Sequence, residues 1–218
     1  MNRHNTDNAG AKLWADCRWA AGVTSAGGDW AFNHIYSTNL GEKLAVPEGH
    51  YTHAKARHTG NLWLRHAKQW RRFDAAASAG VSLTPYGTSA LWSLSAGWTP
   101  AEGLHVGAGA WQSMRLPTFT DLYYTSPAQI NNLDLTPEHA VTYRLGADYL
   151  KRCWNVSAHA YYRAGRDIID WFWRECRDTK WHSEQSSRLD TYGIELAGGY
   201  TVPEGFLRRV TLSYGYIT

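Results

Sequence analysis

A chain of 218 residues with 44% hydrophobic and 19% charged side chains is long enough for one large domain or two small ones, and too apolar to stay disordered. A net charge of +3 argues against nucleic acid as a partner, and no apolar run approaches the roughly 18 residues of a membrane-crossing helix. The opening residues, Met1 to Asn8, lack an apolar h-region, so a mature chain or a fragment is expected. Cys17, Cys153 and Cys176 form no C-x-x-C pair; a Cys153–Cys176 disulfide is conceivable, but ordinary thiols are the simpler expectation.

The dominant pattern is period-two alternation broken by turn residues about ten times, which reads as antiparallel strands rather than helices. Ala11 to Ala21 carries Ala11, Leu13, Ala15, Cys17 and Trp19 on one face and Lys12, Asp16 and Arg18 on the other. A turn is expected at Thr24 to Gly28, then a returning strand from Asp29 to Tyr36 with Trp30 and Phe32 together. A long loop follows from Ser37 to His53, then a poorly alternating strand from Ala54 to Ala67 and a short turn at Lys68 to Arg71. Phe73 to Leu83 and Thr88 to Trp98 alternate on either side of a turn at Thr84 to Gly87. After a turn at Thr99 to Gly103, Leu104 to Met114 climbs into a proline-punctuated stretch. Beyond it, Val141, Tyr143, Leu145, Ala147 and Tyr149 oppose Thr142, Arg144, Gly146 and Asp148. Trp154, Val156, Ala158, Ala160 and Tyr162 share the next apolar face. Gly165 to Arg188 reads as a strand extension plus loop, Tyr192 to Tyr200 as a strand, Pro203 to Gly205 as a turn and Val210 to Tyr216 as the last strand.

The polar faces carry whole charges: Lys12, Asp16, Arg18, Asp74, Arg144, Asp148, Arg163 and Glu195. A soluble sandwich buries its apolar face and wets the polar one, whereas a membrane barrel turns the apolar face to lipid and the polar face to its lumen. Trp19, Trp98, Tyr149, Trp154 and Tyr200 fall at strand ends beside short turns, where a bilayer interface holds aromatic rings. Mean hydropathy is −0.47 despite 12 Trp and 13 Tyr, which suits such girdles. Short connections near Ala26, Gln69, Ala101, Lys151 and Glu204 alternate with longer ones near Lys43, Pro85, Pro127 and Lys180. Barrels with short periplasmic turns and long outer loops show that parity. The expected fold class is all-β, an antiparallel transmembrane β-barrel.

The stretch from Met114 to Glu138 holds Pro117, Pro127 and Pro137, so no continuous strand or helix is expected to pass through it. A connection this long between strands is usually functional. Arg115, Pro117, Thr118, Phe119, Asp121, Leu122 and Tyr123, followed by Asn132, Leu135, Pro137 and Glu138, match a two-part pattern. The pattern, Arg-x-Pro-(Ser/Thr)-Phe-x-(Asp/Glu)-Leu-Tyr and then Asn-x-x-Leu-x-Pro-Glu, resembles a segment of TonB-dependent outer-membrane receptors. Residues 35–41, 132–146, 165–171, 181–183 and 191–196 are similar to other loops and strands of that family. The wording is nearest to its cobalamin-receptor-like, Bacteroidota-type members.

The resemblance implies a barrel of about twenty-two strands with a lumen plug, of which about ten strands are read here, without plug or TonB box. Residues 1–218 are then expected to be an internal fragment of the barrel domain. The implied function is TonB-dependent uptake of a scarce large nutrient across the outer membrane of a Gram-negative bacterium. A cobalamin-type corrinoid is the first expectation and a ferric siderophore the second. Implied partners are outer-membrane lipid, that substrate, TonB through the plug and its box, and a surface lipoprotein; no cofactor is implied.

Tyr123, Tyr124, Trp171, Trp173 and Trp181 are candidates for ligand contact, because rigid aromatics give contact area at small entropic cost. Their alternative role is girdle or loop packing. Arg115, Pro117, Asp121, Asn132, Pro137 and Glu138 are expected to structure the loop, the charged ones through charge-assisted hydrogen bonds. His50, His53 and His58 fit no standard metal spacing and read as solvated; Asp167 and Asp170 fall on opposite strand faces. With no nucleophile motif, phosphate loop or zinc motif, an enzyme is not expected. Two other classes stay open. A complete small barrel acting as hydrolase or adhesin needs a closing strand pair. A soluble carbohydrate-binding sandwich needs a second layer over Val141, Tyr143 and Leu145.

Overall fold

Successive side chains of a strand face opposite ways, so an alternating sequence makes a sheet with two chemically different faces. The computed structural model describes residues 2–174, 179–202, 204, 206 and 208–218, and one such sheet forms nearly all of it. Its strands pair in the order β1 (His4–Trp19), β2 (Gly22–Ser37), β4 (Tyr51–Trp70), β5 (Phe73–Thr84), β6 (Gly87–Ala101) and β7 (Leu104–Arg115). The series continues with β9 (Glu138–Lys151), β10 (Trp154–Phe172), β11 (Trp181–Thr201) and β12 (Arg209–Ile217). Off this path, β3 (Glu42–Glu48) pairs with β4, and the two-residue β8 (Gln129–Ile130) joins β11 in parallel. Among the described residues a single short helix, α1 (Phe119–Tyr123), sits between β7 and β8. The sheet is an open meander with β1 and β12 at its ends.

The register keeps like with like across neighbouring strands. Ala77 pairs with Leu94, Leu94 with Ala110, Ala110 with Tyr143, Tyr143 with Tyr162 and Tyr162 with Tyr192. Among the described residues no second layer covers this apolar face: Tyr143 is 51% and Leu145 61% exposed. A soluble sandwich would instead leave these groups dry. Aromatic rings mark the short-turn end of the same face. Phe73 stacks on Trp98 at 6.2 Å, Trp154 meets Tyr200 at 4.7 Å, and Trp19 and Trp70 stand exposed nearby.

The charged face is tied by side chains lying across it. His159 reaches Asp148 at 3.2 Å and His105 reaches Asp74 at 3.0 Å. Each ring crosses a glycine to do so. A Cβ on Gly146 would collide with the His159 ring, and one on Gly97 with the His105 ring. Glycine is needed there because only a bare backbone lets a ring lie flat on the sheet.

Several sequence expectations shift in detail. Residues 24–28 are not a turn; they lie within β2, and the chain reverses at Ala20 and Ala21 instead. Gly27 and Gly28 looked like turn residues, but they make room for the side chains of Trp63, Trp14 and Leu62. The turn placed at residues 68–71 comes later, at Arg71 and Arg72, with Arg71 at φ 43°. Part of the long loop between Ser37 and His53 is the strand β3, in which Pro47 sits near a register irregularity. Cys17 and Cys153 are free thiols, while Cys176 and the Pro203 and Gly205 positions lie outside the described residues.

Candidate ligand-binding mouth

Three prolines forbid regular structure through the segment joining β7 to β9, so its backbone groups must be satisfied locally. The one helical turn is held at its start by a capping box: the Asp121 amide donates to Thr118 Oγ1 at 3.1 Å and the Thr118 amide to Asp121 Oδ2 at 2.9 Å. Such a cap is worth about 1 kcal/mol. Asn131 then donates from Nδ2 to the Leu122 carbonyl at 2.6 Å, and the Asn132 amide donates to the Asp121 carbonyl at 3.2 Å. Asn132 Oδ1 in turn accepts from the Asp134 amide at 2.9 Å, an Asx turn that reverses the chain. Leu122 and Leu135 pack with Ile169 of β10, with Tyr86 and Tyr123 alongside. Burying each aliphatic group is worth roughly 1.5–3 kcal/mol. Pro117 and Pro137 are buried, and Pro127 is exposed at the tip.

The segment's two ends are clamped by one ion pair. Arg115, last in β7, donates to both carboxylate oxygens of Glu138, first in β9; the Nε bond is 2.7 Å. Glu138 is 4% exposed, and its Oε1 also accepts from the Ile169 amide at 2.7 Å. Burial opposes ionisation of Glu138, but the Arg115 and Ile169 hydrogen bonds outweigh it and hold the carboxyl below its ordinary range. Asp121 lies 3.9 Å from Arg115, so one guanidinium touches both the cap and the clamp.

The segment lies over the charged face. Arg57 of β4 donates to the Pro117 carbonyl at 2.8 Å across the short β5–β6 hairpin, and its guanidinium sits 4.8 Å from the Phe119 ring centre. Lys55, two residues earlier on the same face, pairs with Glu42 and stands 5.9 Å from the Tyr123 ring centre. The Glu42 hydrogen bond raises the Lys55 pKa against the opposing effect of burial. Burial raises the Tyr86 hydroxyl pKa while Arg57 pulls it down. Lys55, Arg57, Tyr86, Phe119 and Tyr123 thus form a basic, aromatic rim. Lys55, Arg57 and Tyr86 were not among the sequence candidates; the available signal was that Lys55 and Arg57 share a face in a strand that alternates badly.

The other candidates fall elsewhere. Tyr124 is the half-buried C-cap of α1. Trp173 and Trp181 meet edge to face at 5.2 Å at the tip of the β10–β11 hairpin, and Trp171 is half-buried just below. The hairpin is tied to the loop by β8 and by the Trp181 amide, which donates to the Ala128 carbonyl at 2.9 Å. Ring contacts among the described residues do not join the tryptophans to Tyr123. His53 bonds Thr52, and His58 stacks on Trp30 and lies tilted against Phe32. Asp170 receives the Trp171 amide, and Asp167 sits at φ 56°.

A one-layer antiparallel sheet with a bare apolar face, a charged opposite face, girdle rings at the short-turn end and built-up loops at the other is the wall of an outer-membrane β-barrel. Residues 72–218 match the family model described as TonB dependent receptor-like, beta-barrel. The chain belongs to that family of Gram-negative outer-membrane receptors. It is 26% identical over 134 residues to a vitamin B12 transporter BtuB of Photobacterium profundum, covering 61% of this chain and 21% of that protein. Among solved structures, the siderophore receptor PirA from Pseudomonas aeruginosa superposes with a TM-score of 0.77 at 14% identity, covering 98% of this chain and 41% of that one. The FrpB iron transporter from Neisseria meningitidis gives 0.73 at 13% identity, with 99% and 36% covered. These likenesses show the fold: this chain is a partial receptor barrel spanning less than half of the relatives' length, with no plug among the described residues. Those relatives are receptors and transporters by description.

Proposed function

We propose that residues 1–218 are an internal part of a receptor barrel and supply part of the extracellular mouth through which a scarce, large nutrient is captured for TonB-dependent import. The carrying observation is the 116–137 segment, folded onto the charged face by Arg57 and clamped by Arg115 and Glu138. It holds Tyr123 beside the lumen rather than outside the barrel. Arg115, Pro117, Asp121, Asn132, Pro137 and Glu138 form the frame. Tyr123 and Tyr124, with Trp171, Trp173 and Trp181 on the neighbouring hairpin, present aromatic surface to the ligand. A cobalamin-type corrinoid is the first reading, supported by the B12 transporter among its sequence relatives. The rim's Lys55 and Arg57 favour an anionic ligand, and support a ferric siderophore as the second reading. TonB would act through a plug outside this chain, and a surface lipoprotein is the partner suited to the outer loops.

Equilibrium binding to the receptor containing this chain, in detergent, separates the readings. Quenching of tryptophan emission by cyanocobalamin, weakened by Tyr123→Ala, supports the first. Quenching by a ferric siderophore alone, weakened by Arg57→Ala, supports the second. Binding of neither sinks both. The flanking gene sequence tests the fragment reading, which fails if it encodes neither a plug nor further strands.

A further inference from the structure

On the lipid-facing side of β9, β10 and β11 the register sets three basic residues in one row, since His139 pairs with Arg166 and Arg166 with Arg188. Two guanidinium groups directly opposite each other on neighbouring strands repel. Among the described residues only one has an internal partner: Arg188 pairs with Asp190 at 2.8 Å, and its Nη2 donates to the Tyr162 hydroxyl at 3.3 Å. Arg166 is exposed and has no hydrogen-bond or ion-pair partner among the described residues. His139 Nδ1 is buried and likewise unpartnered.

The height of the row says what can meet it. Beneath it the Tyr143, Tyr162 and Tyr192 rings stack in sequence at 6.2 and 4.8 Å. From the lower girdle at Trp154, Tyr162 is about 26 Å up the strand and Arg166 about 40 Å, at ordinary strand rise. At a barrel tilt of roughly 40° these become heights of about 20 and 30 Å. An outer-membrane apolar band is about 25 Å tall, so the tyrosines lie just inside its upper edge and the arginines just above it. Headgroup phosphates sit at that level.

We propose that Arg166 and Arg188, flanked by His139 above the Tyr143–Tyr162–Tyr192 belt, form an outward-facing site for a phosphate on an outer-leaflet lipid. A phosphate between the two guanidinium groups removes their repulsion and accepts charge-assisted hydrogen bonds, while the acyl chains run down over the tyrosines. The site is on the opposite face from the mouth and takes no part in nutrient capture. It rests only on the barrel's orientation in the membrane.

The test uses the receptor containing this chain in detergent, with thermal unfolding followed as a phosphorylated outer-leaflet glycolipid, its dephosphorylated form or inorganic phosphate is added. The phosphorylated glycolipid is expected to raise Tm and the other two to leave it unchanged. Arg166→Gln keeps the Arg188–Asp190 pair, so it should fold normally and weaken the glycolipid by about tenfold or more. Arg166→Lys should weaken it less, and Lys68→Gln at the opposite girdle should change nothing. Equal stabilisation by the dephosphorylated lipid, stabilisation by inorganic phosphate alone, or an unchanged response in Arg166→Gln overturns the site.

Discussion

Glu138 carries more of the loop than any other side chain, because it answers a guanidinium and a backbone amide at once from a buried position. Replacing it with Gln leaves both donors half-served, a local loss of about 1.5–3 kcal/mol, toward the low end because Arg115 is half-exposed. Hydrogen exchange of residues 116–137 should accelerate in that variant while β9 below stays protected. The pH dependence has a definite sign. The folded pKa of Glu138 is below its ordinary 4.5, so its contribution is complete above that value and lost as pH falls through the lower one. Protection of the segment, corrected for intrinsic exchange rates, should therefore fall below about pH 4.5 in the native protein. In Glu138→Gln that acid step should be missing. Gly146 makes a separate prediction. Gly146→Ala forces the His159 ring off the strand and breaks its bond to Asp148, at about 1–3 kcal/mol. Combined with His159→Ala it should cost less than the sum of the two, measured by urea titration in vesicles.

At the scale of elements, β9 tests which way the sheet faces. Leu145→Arg puts a charge on the apolar face and should cost about 2–4 kcal/mol in folding into lipid vesicles. Ser95→Arg, on the charged face of β6, should be nearly neutral in the same assay. Equal costs would contradict the assignment of the faces. The very long strands β4, β10 and β11 exceed the roughly 9–11 residues a tilted strand needs to cross a bilayer. Their upper parts therefore stand outside the membrane and carry the loop packing: Lys55 and Arg57 on β4, Ile169 and Trp171 on β10. The poor alternation expected between Ala54 and Ala67 has this cause. A strand segment above the lipid needs no apolar face, and Lys55, Arg57 and His58 can follow one another there.

For the whole molecule, the open ends matter most. β1 and β12 each present an unpaired edge, and the apolar face is bare of protein. Expressed by itself, this stretch of chain should form inclusion bodies or need detergent, and size-exclusion chromatography should show oligomers joined edge to edge. A monodisperse, detergent-free monomer would contradict the membrane-facing assignment.

Alternation from Ala11 to Tyr216 and girdle residues beside short turns were enough, by themselves, to determine the ten strands of the main meander and its two faces, but not the short β3 and β8; the motif in the proline-marked stretch carried the resemblance to the receptor family. These are local signals, since period-two patterning and turn chemistry are written in neighbouring residues. Where the chain reverses was harder to read: Gly27 and Gly28 mimic a turn, and only the Trp63 and Leu62 side chains of the next strand explain them. The rim of Lys55, Arg57, Tyr86 and Tyr123 and the row of His139, Arg166 and Arg188 were decided by tertiary structure alone. Each gathers residues far apart in the chain, and only strand pairing and the fold of a proline-rich loop set them side by side.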